Sequence, residues 1–156
     1  MSTTCILTDS SAQFTNANIL NYEHLIVLHH HLVCEGERKD DIRDAHLLGK
    51  WVAEHAPNQI TLEAPSIEDF RQTLSALSQK YQSIIVILLS SFLSPAYQNA
   101  LDAIYQLKGP ASIQVIDSQT IGAGLGMLVQ VAIDAVQKGI YPLQMRCSPT
   151  CTGKKG

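Results

Sequence analysis

The sequence predicts an α/β domain, with a mainly parallel sheet flanked by helices. Short apolar segments typical of buried strands alternate with segments of helical periodicity, and such alternation favours parallel strands joined by right-handed crossovers. Several of the strands end in clusters of hydroxyl and acidic residues. Aromatic residues make up only 6% of the chain while Leu, Ile, Val and Ala are frequent, a composition that fits a sheet covered by helices.

The elements are expected in regular order along the chain. Strands are expected near residues 4–8, 25–33, 83–89 and 112–117, with a charged turn at 35–39. Helices are expected near residues 45–55, from 66 onward, at 96–107 and at 121–138. Ser66 and Asp69 form an acidic version of the capping box, and Ser94-Pro95 predicts a capped start of the third helix. Lys138-Gly139 is typical of a helix end.

Hydroxyl groups gather where the predicted strands end. Ser10 follows the first strand, Ser90 and Ser91 follow the apolar run before residue 90, and Ser118 follows the last strand. Ligands of open α/β sheets bind beyond the carboxyl ends of the strands, so we expect these side chains at one ligand pocket. Amide groups at the starts of the following helices would make that pocket tolerant of anions.

Other chemistries fit the pattern less well. His29 and His31 would lie on one face of a strand, but no second set of metal ligands accompanies them, and a half-exposed edge strand is favoured. In Gly122-x-Gly124-x-Gly126 the third glycine of a dinucleotide loop is replaced by Met127, which favours helix packing. Ser91 lacks the flanking glycines of a hydrolase elbow, so neither catalysis nor a cofactor is expected.

Composition excludes some partners and suggests a compartment. The formal net charge is −3, and the one basic cluster is Lys154-Lys155, so no nucleic-acid partner is expected. No apolar run reaches the length of a membrane span. No basic segment precedes the first strand, which favours a cytoplasmic protein with free thiols. Cys5 and Cys34 are expected in the core, whereas Cys147 and Cys151 lie in the tail.

Four blocks of the sequence, taken together, form a recognisable pattern. They are Ile6 to Ala12, Thr61 to Phe70, Leu89 to Gln98, and Val115-Ile116-Asp117-Ser118 with Gly124-Leu125-Gly126. In order and spacing they resemble the DegV family of bacterial fatty-acid-binding proteins, over about residues 4–139. The resemblance implies a protein that holds a long-chain fatty acid by its carboxylate, with the acyl chain in an apolar tunnel. It also implies presentation of that ligand to a fatty acid kinase, with no chemistry of its own.

Within this resemblance, Ser91 is expected to be the first carboxylate ligand and Thr61 the second. Ser10, Ser90 and Ser118 would form the pocket wall. The chain departs from the family pattern in three places: Pro95-Ala96 replaces Gly-Thr, residues 61–65 carry an extra residue and lack a Gln, and His29-His30 replaces a Pro-Leu pair.

The family also has a second domain of comparable size, which supplies a basic and His-containing wall. Here we expect a DegV-like N-terminal domain at residues 1–140 and an irregular, poorly ordered tail at 141–156, with that second domain absent. An uncovered apolar wall would favour a homo-oligomer or weak lipid binding. Two alternatives stay open: a small metal-dependent phosphotransfer or hydrolytic enzyme that uses Asp9 and Asp117, and a non-functional fragment of a two-domain lipid-binding protein.

Overall fold

Two sheets organise the chain. A computed structural model describes residues 4–40, 45–55, 59–107, 109 and 111–140. The larger sheet is parallel, with the order β2-β1-β6-β7. Its strands are β1 (Thr4–Asp9), β2 (Leu25–Leu28), β6 (Ser83–Leu88) and β7 (Ser112–Asp117). The smaller sheet is antiparallel, with β3 (His31–Cys34) between β4 (Glu37–Asp40) and β5 (Thr61–Glu63).

Helices flank the parallel sheet, which confirms the predicted fold class. They are α1 (Ala45–Glu54), α2 (Ile67–Ser78), α3 (Ala96–Tyr105) and α4 (Ala123–Gln137), with a short 3-10 helix at Ala17–Asn21. The helices α2 and α3 pack against each other beside β6 and β7, whereas α4 contacts β1 and β6. The helix α1 covers the smaller sheet, where Trp51 packs with Leu32 and Cys34. Within the part of the chain described, no helix has the length and apolarity needed to cross a bilayer.

The main core lies around β1 and β6. All residues of β1 are buried, as are those of β6 after Ser83, so both faces of these strands are covered. Phe70 and Leu74 of α2 and Leu125 and Val129 of α4 are fully buried in this core. Burial of each such side chain stabilises the fold by about 1.5–3 kcal/mol. Coverage on both faces explains why β6 is a continuous apolar run rather than an alternating one.

The cysteine predictions are confirmed where the structure describes them. Cys5 and Cys34 are both buried, and burial raises the pKa of the Cys5 thiol to about 12. Both therefore behave as small core residues. Cys147 and Cys151, like the whole predicted tail at 141–156, lie outside the described residues.

The predicted strand at 25–33 is wrong as a single element. It breaks after Leu28, because the backbone N–H of His30 donates to Ser10 Oγ at 2.9 Å and draws the chain around the end of β1. Residues 31–34 then belong to the smaller sheet. The charged turn is also shorter than expected: Glu35 and Gly36, with φ of 50° and 85°, make a two-residue hairpin turn before β4.

The helix ends follow the predicted signals closely. Ser66 Oγ accepts the Asp69 N–H at 3.1 Å, and Asp69 Oδ2 accepts the Ser66 N–H at 2.8 Å, which completes the capping box. Gly139 adopts φ 74° at the end of α4, where glycine is favoured. The third helix, α3, begins at Ala96 as expected, but Pro95 takes the cap position that was predicted for Ser94, whose Oγ accepts the Ala96 N–H at 3.2 Å.

The glycine-rich start of α4 packs closely, as predicted. A side chain at Gly126 would collide with the backbone carbonyl of Gln13, in the loop after β1. A bridge between Ala12 and Gly122 joins the same two segments. The loop before α4 is therefore held against the end of β1, beside the carboxyl edge of the sheet.

Candidate functional site at the carboxyl edge of the parallel sheet

The order of strands reverses between β1 and β6. The connection from β1 leads outward to β2, and the connection from β6 leads outward to β7, so a crevice opens between their carboxyl ends. Asp9, which is fully buried, spans this crevice. Its Oδ1 accepts the Ser11 N–H at 2.9 Å and its Oδ2 accepts the Leu89 N–H at 2.8 Å. The backbone at the switch point is thus fixed by one carboxylate.

Two grooves meet at this point, on either side of Ser11 and Ile121. The first, which we call the edge groove, has a volume of about 370 Å³. Its lining consists of Ser11, His30, Leu62, Ala64, Leu89, Leu93, Ser94, Pro95 and Ile121. The second has a volume of about 520 Å³ and is lined by residues 10–14 with Ile121 and Gly122. The lining of the edge groove is mainly apolar with three polar residues, an arrangement typical of small-molecule binding sites.

Ser11 contributes a buried hydroxyl to the walls of both grooves. Its Oγ is buried and has no hydrogen-bond partner among the described residues, although it lines both grooves. A buried hydroxyl without a partner is unfavourable, so a ligand that accepts its proton would be stabilised. Sequence reasoning did not select Ser11 as a site residue. Its place beside Ser10 in the first sequence block was the available signal.

Ser10 and His30 form a buried pair next to Ser11. Ser10 Oγ accepts the His30 N–H and lies 3.2 Å from His30 Nδ1, which is itself 4.0 Å from Asp9 Oδ1. Serine and aspartate therefore approach the same ring nitrogen. In a catalytic Ser-His-Asp relay they contact opposite nitrogens, so this trio has a different geometry.

Ser91 and Asp117 occupy the side of the edge nearest β7. The exposed Ser91 donates its hydroxyl proton to Asp117 Oδ2 at 2.6 Å and its N–H to Oδ1 at 3.2 Å, and Gln119 adds a second N–H at 3.0 Å. Burial alone would raise the pKa of Asp117. The hydrogen bonds from the Ser91 hydroxyl and the two amides outweigh burial and hold that pKa below its usual value.

Ser90 and Ser118 stabilise the loops of the edge. The N–H of buried Ser90 donates to the Thr120 carbonyl at 2.9 Å, and Ser90 Oγ accepts the Phe92 N–H at 3.3 Å. Ser118 donates its N–H to the Leu88 carbonyl at 3.0 Å, and its Oγ donates to the Thr120 carbonyl at 3.2 Å. The structure thus brings Ser10, Ser90, Ser91 and Ser118 to one edge of the sheet, although none of the four lines the edge groove.

Thr61 lies apart from these serines. It is exposed on β5 and pairs with Val33 in the smaller sheet. The groove wall near this strand is made by Leu62 and Ala64 instead. A one-residue difference along a strand turns a side chain to the opposite face, and the extra residue noted at 61–65 bears on that placement.

The described residues do not support either metal site considered from the sequence, at His29 and His31 or at Asp9 and Asp117. Within the described ranges, no group of three His, Cys, Asp or Glu side chains is placed to hold a metal ion. Both oxygens of Asp9 accept backbone N–H groups. His31 faces Asp40 at 3.1 Å and Asp69 at 3.6 Å, so it joins β4 to the start of α2.

Comparison with known proteins agrees with this architecture. The family model for uncharacterised proteins of the DegV family matches residues 3–146. A DegV domain-containing 15.5 kDa protein of Staphylococcus aureus is 31% identical over 134 residues, which cover 84% of this chain and 91% of that protein. This chain spans only 47% of the length of each of five other DegV domain-containing proteins of the same species.

Solved structures show the same fold over most of the chain. DegV from Bacillus subtilis, described as a fatty acid binding protein, superposes with a TM-score of 0.78 at 19% identity. A hypothetical protein from Thermotoga maritima, described as revealing fatty acid binding function, superposes with a TM-score of 0.75 at 23% identity. Each match covers 90% of this chain but only about half of the solved protein, at 50% and 51%. On the match of the family model across residues 3–146, this chain belongs to the DegV family.

Proposed function

We propose that this chain binds a long-chain fatty acid in the edge groove. The observation that carries the proposal is an apolar groove at the switch point, in whose wall the Ser11 hydroxyl is buried without a hydrogen-bond partner among the residues described. An acyl chain gains about 0.8 kcal/mol for each methylene group that it buries there. The fatty acid binding described for the Bacillus subtilis and Thermotoga maritima proteins supports this choice of ligand.

The carboxylate would lie among the hydroxyl groups of the edge. Ser91 does not line the edge groove, so its role as the first carboxylate ligand stays a prediction. To fill that role its exposed hydroxyl would turn from Asp117, which would keep two backbone N–H donors. Ser10, Ser90 and Ser118 would position the surrounding loops through the bonds that they already make. Thr61 stays a prediction, since its strand presents Leu62 to the groove.

Extraction and titration test the proposal directly. The purified protein is extracted with organic solvent and the extract is examined for fatty acid by mass spectrometry. It is then titrated with a labelled fatty acid, with the fatty alcohol of equal chain length as competitor. Leu93→Asp, in the groove lining, should weaken binding, whereas Leu20→Asp, an exposed leucine outside that lining, should not. Equal affinities of these two variants and the wild type would remove the edge groove as the acyl site.

Presentation to a fatty acid kinase is the finer part of the proposal. A carboxylate at the sheet edge would lie beside surface loops, where a kinase can reach it. The kinase would transfer the terminal phosphoryl group of ATP to the carboxylate, giving an acyl phosphate and ADP, in the cytoplasm where ATP is supplied. A labelled fatty acid loaded on this protein should yield acyl phosphate with the kinase and ATP, and the free fatty acid should not.

A further inference from the structure

We propose that the imidazole of His30 and the hydroxyl of Ser11 together bind the ligand carboxylate, and that fatty-acid affinity therefore falls as pH rises through the histidine range. This inference rests on the proposed function and names the residues that would recognise the ionised head group. It also gives a role to His30, which the sequence pattern presented only as the middle residue of three consecutive histidines.

The placement of the two residues carries the inference. Both line the edge groove, and no acidic residue shares that lining with them. The His30 side chain is only 8% exposed, and the Ser11 Oγ is buried without a hydrogen-bond partner in the described chain. A carboxylate oxygen accepts well from a hydroxyl, and the second oxygen accepts a charge-assisted bond from an imidazolium. One carboxylate thus matches two donors in the wall of one groove.

The imidazole is oriented by the end of β1. Its Nδ1 lies 3.2 Å from Ser10 Oγ, and the His30 N–H donates to the same oxygen at 2.9 Å. The backbone bond holds Ser10 Oγ beside His30, and the contact from Nδ1 to that oxygen orients the ring in the groove wall. Pre-oriented donors lose less conformational entropy when a ligand binds.

The charges around His30 set the direction of the pH effect. On β1, Asp9 Oδ1 is 4.0 Å from His30 Nδ1, and on β5 the acidic residue is Glu63, which is exposed and pairs with His31. The segment from Leu89 to Ala96 carries no charged residue. A bound carboxylate adds a negative charge and favours the imidazolium. Binding should therefore raise the pKa of His30, and by linkage affinity is higher below that pKa than above it.

The pH window follows from ordinary titration ranges. Carboxylic acids are ionised above about pH 5, and histidine loses its proton near about pH 6.5. Affinity for a fatty acid should be highest between these values and should fall by about tenfold for each unit by which binding raises the pKa of His30. A fatty alcohol carries no charge and should show no such change.

The test compares His30→Gln with His46→Gln, a matched change at an exposed histidine of α1. Affinities for a long-chain fatty acid and for its alcohol are measured at about pH 5.5 and about pH 7.5, on either side of the ordinary histidine pKa. The His30 ring is titrated by NMR with and without the fatty acid. We expect wild type and His46→Gln to bind the acid about tenfold more tightly at the lower pH. His30→Gln should lose that difference and keep its affinity for the alcohol, which shows that it is folded.

The outcomes separate the two proposals. If His30→Gln keeps the wild-type pH profile, or if the fatty acid leaves the His30 titration unchanged, the inference is overturned while fatty-acid binding stands. If the wild type binds neither ligand at either pH, the proposed function fails and takes the inference with it. Ser11→Ala should weaken acid binding at both pH values and leave alcohol binding less affected, and an unchanged acid affinity would exclude Ser11.

Discussion

The carboxylate of Asp9 accepts the backbone N–H of Leu89 across 2.8 Å, although 80 positions separate the two residues in the chain. The bond joins the end of β1 to the residue that follows β6, at the point where the strand order reverses. Its other oxygen accepts the Ser11 N–H. A single buried side chain therefore sets the spacing of Ser11 and Leu89, which both line the edge groove.

Replacing Asp9 with Asn should destabilise the fold. The amide has one acceptor oxygen, so either the Ser11 N–H or the Leu89 N–H loses its partner in a buried place. We expect the free energy of unfolding to fall by about 1–3 kcal/mol, measured by urea denaturation. Glu23→Gln, at an exposed loop position, is the matched control and should change little. Equal losses in both variants would contradict a special role for Asp9.

Replacing Ser91 with Ala tests the first carboxylate ligand. If its hydroxyl turns to the fatty acid, the variant should bind the acid about 1 kcal/mol more weakly, the usual cost of losing such a hydrogen bond. Affinity is measured by titration with a labelled fatty acid, with Ser112→Ala at the opposite end of β7 as control. An affinity equal to that of the control would place Ser91 outside the ligand site and leave it as a partner of Asp117 alone.

The same variant should change the titration of Asp117. The Ser91 hydroxyl is the first of the hydrogen bonds that lower this pKa, so Ser91→Ala should raise it. A lowered folded pKa contributes stability above the ordinary aspartate value of about 3.9, and the contribution is lost as pH falls through the folded pKa. The variant should therefore be less stable than the wild type near neutral pH, and this difference in the free energy of unfolding should disappear in acid. Carboxyl NMR titration measures the shift, and Glu68, whose pKa is lowered mainly by Arg71, should titrate as in the wild type.

The capping box of α2 should contribute measurably to stability. Ser66→Ala removes the acceptor for the Asp69 N–H and should lower the free energy of unfolding by about 1 kcal/mol. Ser66→Gly should lower the free energy of unfolding by only about 0.3 kcal/mol, because glycine is tolerated at the N-cap position. Thermal unfolding of both variants measures the difference. Equal effects of alanine and glycine would show that the hydroxyl does not act as a cap.

The rim of the groove is expected to favour association. Leu62, Leu93 and Ile121, which line the edge groove, are exposed by 63%, 62% and 53%, and Phe92, next to Leu93 in the chain, is exposed by 96%. Exposed apolar groups in one region usually mark an interface, so we expect self-association or weak, poorly selective lipid binding by a monomer. Light scattering of the wild type and Phe92→Ser measures association. A wild-type monomer that binds one fatty acid tightly would show that the rim needs no partner.

Local patterns in the sequence predicted most of the elements. The apolar runs of β1, β6 and β7, the stripes of α2 and the Ser66–Asp69 box depend on residues near one another, and each appears within a few residues of its expected place. The order of the sequence blocks pointed to the family. Four of the five predicted site residues meet at one edge because parallel strands align their carboxyl ends there.

The sequence by itself therefore determined the fold class, the family and the edge of the sheet that holds the candidate site. Only the tertiary structure decided how the pattern at 25–34 is divided, because a strand signal does not specify its neighbour and the break depends on Ser10 accepting the His30 N–H. It also decided that the Ser91 hydroxyl donates a hydrogen bond to Asp117, whereas the Ser11 hydroxyl has no partner in the part of the chain that is described. A hydroxyl's availability depends on the acceptors that folding places around it, and those acceptors come from distant parts of the chain.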